Sequence, residues 1–105
     1  MKFIINYGCG CGENEEIVEA KSLGDAEKYA YECAVVDYES YEGLHGVMSL
    51  DDVCEDQNIE DRDSEEAWVA YVEERENSIN YGAIEFDETN EEHRDLLEYA
   101  TVYEI

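Results

Sequence analysis

The chain predicts an α+β domain, a small antiparallel sheet made of an N-terminal hairpin plus C-terminal strands and covered on one face by two to three helices. Three observations carry that expectation. Two β-prone runs flank a glycine-rich turn at the start, the apolar period becomes helical from Gly24, and strand-like content returns after residue 79.

The runs KFIINY (2–7) and EEIVEAKS (15–22) enclose GCGCGEN, whose glycines suit a tight turn with positive φ, so an antiparallel hairpin is expected. Ala26, Tyr29, Ala30, Cys33, Ala34 and Tyr41 then fall at helical spacing, with Ser22 or Asp25 as cap and Gly43 as stop, a helix of about four turns. SLDDVCED opens a second, short helix, with Ser49 as cap and Asp51 and Asp52 beside the positive end of the helix dipole. SEEAWVAYVEEREN reads as a third, begun by Ser64, with Ala67, Trp68, Tyr71, Val72 and Arg75 on one face. INYGAIEF (79–86) and LEYATVYEI (97–105) are expected to be strands, with a helical turn over 90–96 between them.

Composition bounds the function. The chain of 105 residues holds 30 Asp plus Glu against 6 Lys plus Arg, a formal net charge of -24. Self-repulsion of that size must be offset by apolar burial. The material is present, since 44% of residues are hydrophobic and there are 9 Tyr, 2 Phe and one Trp, too much for a disordered acidic chain. One domain over 1–105 is expected. No apolar run reaches the length of a membrane span and the N-terminus lacks a secretory signal, so a soluble cytoplasmic protein is expected. The charge also argues against direct binding to nucleic acid or anionic membranes and in favour of a basic protein partner. A compact chain of this length spans roughly 33 Å. Duplex DNA of that length carries on the order of 20 charges, so the two charge densities are comparable.

The carboxylates are unevenly placed. Residues 1–12 have none, residues 51–66 hold nine (Asp51, Asp52, Glu55, Asp56, Glu60, Asp61, Asp63, Glu65 and Glu66), and residues 87–105 hold seven. Glu73 and Glu76 continue the theme on the third helix. Side chains three or four residues apart on a helix are neighbours, so rows resembling backbone phosphates are expected from pairs such as Glu66 with Glu73 or Asp63 with Glu66, at a cost in stability. A solvated face or adaptation to high salt would leave the same composition. Salt separates the latter, since a salt-adapted protein unfolds in dilute buffer whereas a charge mimic folds there and binds its partner more tightly.

Other chemistry finds little support. Cys9 and Cys11 form a C-x-C pair with no second close pair to complete a zinc site, and a disulfide between them would close a small, strained ring. Inert reduced thiols are expected, with no metal and no cofactor. DQNIED fails as a calcium loop because Asp61 stands where glycine is needed and Ala67 where the bidentate glutamate belongs. Tyr38, Tyr41, Leu44 and His45 suit a pocket at the end of the first helix or simply core packing. No nucleophile triad or phosphate-binding loop is present, so no enzyme is expected.

The block from GCGCGE through AEKYAYECAVVDYESYEGLHG resembles small proteins encoded by phages and mobile elements of low-GC Gram-positive bacteria. In size, charge and lack of catalytic signature the whole chain is similar to acidic phage-encoded anti-CRISPR proteins, several of which imitate DNA. That resemblance implies a non-enzymatic inhibitor, acting in the host bacterial cell, that occupies the basic nucleic-acid channel of a CRISPR-associated nuclease. The expected contact residues are Asp51, Asp52, Glu55, Asp56, Glu60, Asp61, Asp63, Glu65, Glu66, Glu73 and Glu76, with Tyr and Trp side chains that escape the core as anchors. The alternative is a small metal-binding or scaffold protein organised by Cys9 and Cys11, whose acidity serves solubility.

Overall fold

A computed structural model describes residues 1–10 and 12–105 and has the α+β architecture. In order along the chain come β1 (Lys2–Gly8), β2 (Glu13–Glu19), α1 (Leu23–Tyr41), α2 (Leu50–Gln57), α3 (Glu65–Ser78), β3 (Asn80–Glu85), α4 (Glu91–Tyr99) and β4 (Val102–Glu104). The hairpin forms as the sequence predicts, with Phe3 opposite Val18 and Tyr7 opposite Asn14, and Gly10 and Gly12 take positive φ (93° and 148°) at its turn.

The sheet order is β3-β1-β2-β4, and the sheet is mixed rather than antiparallel, because β4 runs parallel to β2. The cause lies in the stretch expected to be one long C-terminal strand. Residues 91–99 are helical, capped by Asn90, whose side chain accepts from the backbone of Glu92 and His93, and only Val102–Glu104 is extended. A helix interposed between strands reverses the chain, so β4 returns parallel to β3 and, at the far edge, to β2.

Strand alternation divides the hydrophobic residues between two faces. Phe3, Ile5, Val18 and Ala20 meet Ala26 and Ala30 of α1, where a four-residue alanine spacing allows close approach of the helix. Each fully buried Phe, Ile or Val here contributes roughly 1.5–3 kcal/mol. The other face, with Ile4, Ile84, Glu13 and Glu15, borders α4 through His93 and Leu96, so helices flank both faces rather than one. No residue of α4 is fully buried, and this cover is thin.

Two further apolar clusters continue away from the sheet. Cys9, Ala34, Tyr38, Val47, Tyr71 and Ile79 join the end of α1 to α3, and Val53, Cys54, Ile59, Ala67 and Ala70 close the α2–α3 hairpin. Tyr7 touches the first two clusters and Leu50 the last two, so the three form a series. The molecule is accordingly long, 54 × 26 × 17 Å with a radius of gyration of 16.6 Å, against about 13 Å for a compact chain of this size.

Candidate functional site

The α2–α3 hairpin is built by local signals. Ser49 caps α2 by accepting from the backbone of Asp52 at 3.2 Å, and the Asp52 carboxylate accepts in return from the backbone of Ser49 at 3.0 Å. Asn58 ends the helix in the left-handed conformation (φ 57°), and the Ile59 N–H donates to the Cys54 carbonyl at 2.8 Å. Ile59 then plugs the cluster beneath. Within the connecting turn the Asp61 carboxylate accepts from the backbone of Asp63 at 3.0 Å, and Ser64 caps α3 by accepting from Ala67 at 3.1 Å.

The expected contact residues therefore divide by what else they do. Asp51 pairs with Arg62 at 3.3 Å, Asp52 holds the start of α2 and Asp61 holds the turn. Glu76 accepts from the Tyr31 hydroxyl and lies 3.4 Å from Arg75. Among the described residues, the side chains of Glu55, Asp56, Glu60, Asp63, Glu65, Glu66 and Glu73 are exposed and form no hydrogen bond or ion pair. The one cation in this segment, Arg62, is engaged by Asp51 and by the Ile59 carbonyl. Arg75, on the neighbouring turn of α3, lies over the Tyr71 ring at 5.8 Å. Neither arginine compensates these seven groups.

Trp68 corrects one expectation. The sequence groups it on one face with Ala67, Tyr71, Val72 and Arg75, yet it is 56% exposed, because the buried arc of α3 is Ala67, Ala70 and Tyr71 and Trp68 lies a further 100° round the helix from Ala67. Its ring leans on Tyr71 at 5.6 Å, and Val69 beside it is also exposed. The result is an apolar spot bordered in sequence by Glu65, Glu66 and Glu73, which helical periodicity does not find because 67, 68, 71, 72 and 75 also share one face.

The other candidates are dispersed. Tyr38 is fully buried, donating to the Met48 carbonyl at 2.6 Å, with burial pushing its hydroxyl up to about 12. It is a core residue, while Tyr41 and His45 meet at the surface with ring centroids 6.0 Å apart. Cys9 and Cys54 are buried in different clusters, and Cys11 lies outside the described residues. Among the described residues no three His, Cys, Asp or Glu side chains converge on a metal position. A groove of about 400 Å³ along α1 is lined by Tyr7, Tyr29, Glu32, Cys33, Val36, Asp37 and Ser40. Burial pushes the Cys33 thiol up, which leaves it protonated and weakly nucleophilic at neutral pH.

No family model, curated protein or solved structure matches this chain. Among the described residues no helix is long and apolar enough to cross a membrane.

Proposed function

We propose that the protein is a non-enzymatic inhibitor in which the carboxylates of α2, the 58–64 turn and the outer side of α3 take the place of nucleic-acid phosphates in the basic channel of a nuclease. A CRISPR-associated effector is the partner class to which the resemblance points. One observation carries the reading. Six carboxylates of the 51–66 segment (Glu55, Asp56, Glu60, Asp63, Glu65 and Glu66) face solvent with no internal partner, around a cation already engaged twice. Such groups can form charge-assisted, bidentate bonds to arginine without breaking anything in the fold. Elongation adds support, since 54 Å of duplex carries on the order of 30 charges and this chain carries -24. Trp68 and Val69 supply an apolar centre of the kind that dominates binding energy when desolvated.

The test spares the residues that hold the fold. Glu55→Gln, Asp56→Asn, Glu60→Gln, Asp63→Asn and Glu66→Gln together leave Asp51, Asp52 and Asp61 in place. Expected is an unchanged circular dichroism spectrum with loss of binding to the effector and of nuclease inhibition. Unaltered inhibition by this folded variant rejects the surface.

A further inference from the structure

The sheet has two open edges of opposite character. Along β2, ahead of the short β4, the outward backbone groups belong to Glu13 and Glu15, whose charges oppose the approach of another strand. The outer edge of β3 is different. The Phe86 N–H donates to the Lys2 carbonyl at 3.0 Å, which sets the phase of the antiparallel ladder, so Asn80, Gly82 and Ile84 turn their N–H and C=O groups toward β1. Tyr81, Ala83 and Glu85 turn theirs outward, and among the described residues no hydrogen bond reaches them. Residues 77–84 contain no charge in a chain where 34% of residues are charged. Tyr81 and Ile84 are 48% and 55% exposed. The edge thus has no proline and, before Glu85, no charge to discourage pairing.

We propose that β3 is a homodimerisation edge, pairing antiparallel with β3 of a second copy about a two-fold axis through Ala83. The register is self-complementary. Ala83 faces its own copy, Tyr81 faces Glu85 of the second copy and the converse, so all outward N–H and C=O groups of the three residues are bonded. No carboxylate stands opposite a carboxylate. On the other face Ile84 lies across from the second copy's Gly82, over which that copy's Asn6 side chain sits, and the two Ile84 side chains are diagonal neighbours. A basic partner is less suited to this edge, because β3 itself offers no carboxylate before Glu85.

The sign of the salt effect separates this contact from inhibitor binding. Two chains of -24 repel, so salt strengthens the dimer, whereas salt weakens a complex with a basic protein. The experiment is sedimentation equilibrium of the full chain alone, over a range of protein and sodium chloride concentrations, with amide hydrogen exchange on the same samples. Expected is a dimer that gains in fraction with salt, together with concentration-dependent protection of the Tyr81, Ala83 and Glu85 amides. Ala83→Pro removes an N–H that no strand of this chain uses, at the cost of fixing φ at that residue, and Ile84→Lys places a charge on an exposed side chain. Each is expected to weaken the dimer about tenfold or more, and the second stands if the first perturbs the strand. A chain that stays monomeric at all salt concentrations overturns the proposal, as does a dimer in which those three amides remain unprotected. Neither result bears on nuclease inhibition.

Discussion

At the residue scale, Tyr38 and Trp68 take opposite roles. Tyr38 is fully buried and gives its hydroxyl to the Met48 carbonyl. Tyr38→Phe leaves that carbonyl without its donor and is expected to destabilise the fold by about 1–2 kcal/mol in urea unfolding, with little change in the sheet. The hydroxyl also sets an alkaline limit. Its folded value is raised from 10 to about 12, chiefly by burial, so its contribution is intact below pH 10 and is lost as pH rises through 12. Tyr29 is raised in the same direction and to the same value, again with burial as the main cause. Unfolding followed by tyrosinate absorbance is expected to begin in that window, and Tyr38→Phe should remove part of the pH dependence. Trp68 contributes little to the core. Trp68→Ala is expected to leave the melting temperature within a few degrees of the parent while weakening effector binding by about 2 kcal/mol, roughly 30-fold, in a direct titration.

At the scale of elements, the helix starts are the most legible features of the chain. Ser22, Ser49, Ser64 and Asn90 all cap helices, and Asp52 completes a capping box with Ser49. Asp52 thereby illustrates how charge in an acidic segment can serve structure. Asp52→Asn or Ser49→Ala is expected to cost about 1 kcal/mol of stability with unchanged affinity for the partner, checked by thermal melts and binding in parallel. The C-terminal element misleads for a definable reason. LEYATVYEI is rich in strand-formers, but Asn90 caps the preceding turn, and Leu96 finds partial burial against the sheet, so the helix runs on to Tyr99. Tertiary contact overrode β-propensity, as it does readily on a half-covered face.

At the scale of the whole molecule, carboxylates lie on every element except β1. Lys2 begins β1, Lys21 follows β2 and Lys28 lies in the first half of α1, while Arg62 in the α2–α3 turn is already paired. None of the described Asp or Glu residues is fully buried, so the repulsion among them is accessible to solvent ions. Added sodium chloride is therefore expected to raise the melting temperature of the isolated chain and to weaken its complex with a basic effector, opposite trends from one sample set. A chain that is unfolded in dilute buffer would instead favour salt adaptation.

The α+β class, the N-terminal hairpin, three helices with their caps and the acidic 51–66 segment were all set by the sequence, because capping, alternation and charge are local properties of the chain. Three things were not. The parallel placement of β4 depends on where α4 ends, the exposure of Trp68 on which arc of α3 meets α2, and the division of carboxylates into structural and unpartnered on the turn that brings Arg62 to Asp51. Each is decided by which surfaces exclude water from one another across the fold, and residues distant in sequence settle that together.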